Sequence, residues 1–182
     1  VNNGTSSRAI SNWQFNENVD VNNPDIGTAD FERRHRILGI VSYEFAWAER
    51  FATTLSLIYD GRSGTPYSWI YAGNANGDTQ QFNDLIYVPA SEDEIVLTSN
   101  NWNELDAWIR SEDSVNDYRG GFVDRNTARE PWTNFLDFRV SQQVQTFGGQ
   151  SVEFSASMFN VLNFLNNDWG IRRSTSFNNY AV

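Results

Sequence analysis

Side chains carrying oxygen crowd one short stretch of this chain: Asn74, Asn76 and Asp78 alternate around Gly77, and Asp84 follows closely. Hard cations such as calcium take carboxylate and carbonyl oxygens at spacings of this kind. The spacing departs from the full calcium-loop pattern, and a plain Asn/Gly turn is the simpler reading of the same residues. No cofactor is expected, with calcium at this loop as the alternative to a plain turn. Just upstream, Trp69 and Tyr71 follow Pro66 in a position to be exposed, where aromatic faces could stack on a sugar or a peptide.

Other reactive residue types have plainer readings. His35 is the single histidine, it stands among Arg33, Arg34 and Arg36, and the chain has no cysteine, so no zinc set can be assembled around it. A structural place at a strand mouth suits it better. The neighbouring acids Glu92, Asp93 and Glu94, like Glu112 and Asp113, read as surface charge, because no nucleophile, base and orienting group come together with them. No enzymatic role is expected.

The remaining charges matter for where they fall within the strand pattern. From Arg36 to Trp47 the period is two, with Ile37, Gly39, Val41, Tyr43, Phe45 and Trp47 on one face and Arg36, Ser42, Glu44 and Ala46 on the other. After a short polar connection at residues 48–50, Phe51, Thr53, Leu55, Leu57 and Tyr59 oppose Ala52, Thr54, Ser56, Asp60 and Arg62. A third strand is predicted from Trp132 to Val144, with Asp137 and Arg139 on its polar face. A fourth is predicted from Val152 to about Phe164, with Glu153 opposite Val152 and Phe154. Between the second and third strands lies a long excursion, residues 63–131, too ordered in composition to be a linker. Within it, Asn101 with Glu104 predicts a helix cap, and Trp102, Leu105, Trp108 and Ile109 predict one short helix to Arg110 whose aromatics pack inward. Residues 1–34 read as loop.

Composition restricts the setting. A net charge of −10 argues against nucleic acid, whose phosphates need clustered cations. No apolar run is long enough for a membrane-spanning helix. Abundant aromatics with a mean hydropathy of −0.54 suit strands of alternating faces separated by hydrophilic loops. In lipid only helices and closed barrels satisfy the backbone, and barrel strands are segments of about ten alternating residues joined by short turns on one side and long loops on the other. That connection rhythm favours an all-β, antiparallel transmembrane barrel segment over a secreted β-sandwich binding module, which the alternation alone would also allow. On the barrel reading Glu44, Asp60, Arg62, Asp137, Arg139 and Glu153 line a wet lumen. Trp47, Phe51, Tyr59 and Trp132 then belong to interfacial girdles.

Five segments in order carry a family likeness: Phe31-Glu-Arg-Arg-His-Arg36, Arg62-Ser-Gly-Thr-Pro-Tyr-Ser68, Asn83-Asp-Leu-Ile-Tyr-Val-Pro89, Pro131-Trp-Thr-Asn-Phe-Leu-Asp137 and Phe159-Asn-Val-Leu-Asn163. Together they resemble the late barrel of TonB-dependent outer-membrane receptors of the Oar-like kind, whose chains begin with a carboxypeptidase-regulatory-like domain. The resemblance spans most of residues 30–170. It implies a barrel of about 22 strands with a plug, uptake of a large ligand at the cell surface, and energy from the TonB complex through that plug. Residues 1–182 would then be a C-terminal part of the barrel without plug or final strands, set in outer-membrane lipid. An outer-membrane scaffold or secretion role with other outer-membrane proteins as partners is the alternative.

Overall fold

A computed structural model describes residues 16–98 and 101–174. Two compact units share the chain. One comprises Arg33–Gly64 and Pro131–Arg173; the other comprises, of the described residues, 16–32, 65–98, 101–130 and 174. Among the described residues the strands are, in chain order, β1 (Arg36–Ala48), β2 (Phe51–Arg62), β3 (Pro66–Tyr67), β4 (Tyr87–Val88), β5 (Gly121–Phe122), β6 (Ala128–Arg129), β7 (Thr133–Gln145) and β8 (Ser151–Met158).

The first unit is a single antiparallel sheet in the order β1-β2-β7-β8, so β1 and β8 are its outer strands. Alternation fixes the register. Val41, Leu57, Phe138 and Met158 form one cross-sheet row, and Tyr43, Leu55, Val140 and Ala156 form the next. One residue along, the opposite face carries Glu44 with Thr54, Ser141 and Ser155, then Ser42 with Ser56, Arg139 and Ser157. A slip by one residue would exchange these faces entirely, which is why the pattern specifies the pairing so strongly.

No described residue covers the apolar face. Val41 is 68% exposed and Tyr43 67%, and among the described residues all the buried hydrophobic side chains lie in the other unit. A β-sandwich would bury this face against a second sheet. The sheet instead presents a broad oily surface of the kind that soluble monomers rarely tolerate, which fits the expected barrel segment and not the sandwich alternative. The few polar atoms on this face are mutually satisfied near the short turns: the Trp47 indole donates to Thr53 Oγ1 (2.9 Å), whose hydroxyl donates to Gln142 Oε1 (2.6 Å).

Two expectations for this unit need correction. The fourth strand stops at Met158 and does not run on to Phe164; Val161–Leu165 is a short helix. Asn160 makes the break, since it adopts the left-handed region (φ 54°), its N–H donates to Asp137 Oδ1 (2.8 Å), and its amide donates to the Gly170 carbonyl (2.8 Å). The polar face is also less uniform than its charges suggest. Leu38, Ile40, Ile58 and Phe135 share it with Asp60 and Asp137, forming an apolar patch near the long-loop end of the sheet.

The second unit has a conventional core of Ile70, Leu85, Ile86, Val88, Ile109, Val115 and Val123. The predicted helix spans Trp102–Ser111, and the Asn101 side chain accepts from the Glu104 N–H. It is not alone there, because a second short helix, Asp113–Asn116, follows it. Two-residue ribbons, β3 with β6 and β4 with β5, pin the excursion together. Arg125, 8% exposed, ties in the preceding segment by bonding Glu17 and Asp30, while the Asn126 amide donates to the Thr28 carbonyl (2.7 Å).

Tyr118 belongs to this unit. Burial pushes its phenol up to about 12, with help from a hydrogen bond to Asp124 (2.9 Å). The folded state therefore favours the neutral phenol over an unfolded one that titrates near 10. This contribution is complete below about pH 10 and disappears as the pH rises through about 12. Tyr118→Phe should flatten the loss of loop-unit stability between those values in a pH series of protease-protection measurements. An unaltered alkaline profile would refute the assignment.

Candidate functional site

All six charges expected to face a lumen share the polar face of the four-stranded sheet. Asp60 accepts from the Arg36 guanidinium (3.0 Å) and from Arg62, which places two cations and one acid at the long-loop end. Asp137 lies on the same face and holds the Asn160 N–H. Arg139 and Glu153 approach to 3.4 Å, with both side chains more than half exposed, so this pair is worth little in energy. Glu44 stands opposite Thr54. The arrangement is a wet, mixed-charge surface on one side of a sheet whose other side is oily. That division is what a bilayer on one side and water on the other require.

The aromatics expected at the strand ends separate as a girdle would. Trp47 stacks on Phe51 at the short-turn end (centroids 4.8 Å apart), whereas Tyr59 and Trp132 lie at the long-loop end. Phe51 and Tyr59 are about 26 Å apart along the strand at roughly 3.3 Å per residue, comparable to an apolar band about 25 Å tall. Sequence reasoning did not find the cleft of about 450 Å³ beside Tyr59, lined also by Trp132, Asn134, Trp169 and Arg173. The chain after Met158 forms it, and no local periodicity foretells that return.

A family model described as an outer membrane beta barrel domain matches residues 1–177. The chain belongs to this family. No curated protein and no solved structure matches it. As an outer membrane beta barrel domain, the chain resides in the outer membrane. The exposed apolar face is then its lipid surface, and the four strands are an open stretch of barrel wall.

The loop residues of this barrel domain are arranged differently from expectation. Trp69 and Tyr71, expected to be exposed, are half-buried against the core. The Trp69 indole donates to Ser114 Oγ (3.0 Å) and meets Trp108 edge to face, and the Tyr71 hydroxyl accepts from the Tyr87 N–H. Their apolar surface is used in packing, for the same reason that Trp102 and Trp108 were expected to turn inward.

In the Asn/Asp stretch, three side chains bend back onto their own backbone. Asn74 Oδ1 accepts from Gly77 (2.7 Å), Asn76 Oδ1 from Asp78 (2.9 Å) and Asp78 Oδ1 from Gln80 (2.8 Å), which makes a tight Asx turn. Asp84 differs: it is 3% exposed, and its Oδ2 accepts from the Ala75 and Asn76 N–H groups. Its bridge partner, Asn18, belongs to the loop-like N-terminal stretch and lies far away in sequence.

Proposed function

We propose that this chain forms part of the wall and one surface-loop domain of a TonB-dependent receptor that takes up a large ligand at the cell surface. The observation that carries the reading is the two-faced sheet: an uncovered oily side opposite a side bearing Arg36, Asp60, Arg62 and Arg139, connected through a long, folded excursion with its own core. The short turns at residues 48–50 and 146–150 suit the periplasmic side, which supports reading the long excursion as a surface loop. The charged face lines the interior, and the ordered motifs from Phe31 to Asn163 support the receptor identity within the barrel family.

The test uses the full-length protein in its native host. Import of the ligand should stop when TonB or the proton gradient is removed, while the protein continues to reach the outer membrane and to migrate faster unheated than boiled. Stable outer-membrane partners without TonB-dependent import would instead establish the scaffold or secretion role.

A further inference from the structure

We propose that the loop closed by Asp84 binds calcium, with Asp84 and Asn18 as its buried ligands. The inference does not depend on the transport reading. Asp84 Oδ1 and Asn18 Oδ1 are both buried and accept no hydrogen bond, in residues 3% and 4% exposed. Asn18 and Asp84 are partners in an isolated parallel bridge, so their side chains leave the same side of the paired backbones, where one ion between them would meet both oxygens. The Asn76 amide reaches Val19 O (3.4 Å), which holds the Asn/Asp turn beside the segment that carries Asn18.

Charge separates a cation from a water molecule here. A single water could satisfy two orphaned acceptors, but it cannot compensate the carboxylate. Asp84 forms no ion pair with any described residue, and burying an unpaired carboxylate is expensive. Its Oδ2 sits inside the turn on two N–H groups, so Oδ1 is presented next to the same turn. A divalent cation there gains Asp84 and Asn18, and the oxygens of Asn74, Asn76 and Asp78 each retain a lone pair beyond the backbone bond they now accept. Calcium tolerates such an irregular, amide-rich shell completed by water, whereas magnesium demands a near-ideal octahedron. Among the described residues no three His, Cys, Asp or Glu side chains come together, so the shell rests mainly on amide and water oxygens and affinity should fall in the range of about 10⁻⁴–10⁻³ M typical of extracellular modules.

The experiment uses the full protein in outer-membrane vesicles, with calcium chloride as the probe, EDTA as the blank, and protease cleavage within residues 72–82 as the readout. At ten times the dissociation constant, linkage predicts roughly tenfold slower cleavage. Asp84→Asn should abolish that protection. Because Asp84 is buried and the variant could lose the turn itself, Asp78→Asn provides a second arm: it keeps the oxygen that accepts from Gln80, removes a charge, and should weaken the calcium response about tenfold. Absence of calcium protection in the wild type, equal protection in both variants, or equal protection by magnesium would each overturn the assignment.

Discussion

Replacing Leu57 with arginine is expected to lower the folded-to-unfolded ratio of this barrel protein, read from its heat-modifiable band, by roughly 30- to 800-fold in a urea titration in vesicles. The figure follows from about 2–4 kcal/mol for an arginine at the bilayer midplane, at about 1.4 kcal/mol per factor of ten. Leu57 is at the middle of β2, between Val41 and Phe138 on the oily face, and is 43% exposed. The control is three residues away. Thr54→Lys points to the other face, opposite Glu44, and should change stability by no more than about 0.5 kcal/mol. If the lysine proved the more damaging of the two, the faces would be assigned the wrong way round.

Ile109→Ala should have the other large effect, confined to the loop domain. Ile109 is 1% exposed on the helix Trp102–Ser111 and packs into the excursion's core. Truncating a buried isoleucine costs about 2–5 kcal/mol, from lost transfer energy and the cavity left behind. In a unit this small, that loss should open the excursion to protease while the sheet keeps its unheated gel mobility, since the sheet holds none of the buried hydrophobics. A protease pattern identical to wild type would argue that the core is not cooperative.

How far these features were legible in the sequence depends on the range of the interaction. Period-two alternation is local, so β1 and β2, the faces of Glu44, Asp60, Arg62, Asp137, Arg139 and Glu153, and the short turns follow directly from residue order. The Asn101–Glu104 cap is local too, and the helix begins where it indicates. Features that depend on distant partners were not legible. Val161–Leu165 reads as strand until Asn160 is seen to bond Asp137 on the neighbouring strand. Trp69 and Tyr71 look exposed until Ser114, Trp108 and Tyr87 are brought against them. The apolar patch of Leu38, Ile40, Ile58 and Phe135 was hidden because it is split over three strands, two residues in β1 and one each in β2 and β7, and only the register brings the four together. Asn18 had no signal at all in an Asn-rich segment.

The outer strands of the sheet have a practical consequence. Among the described residues β1 and β8 each bond a neighbour along one flank only, which leaves a ladder of amides and carbonyls open along the other. Within hydrocarbon every such group costs several kcal/mol if left alone, and in water the same ladder adheres to any extended chain it meets. This stretch of wall is therefore sticky by construction until a flanking strand shuts it. Stripped of lipid and neighbours it should zip onto copies of itself, margin to margin.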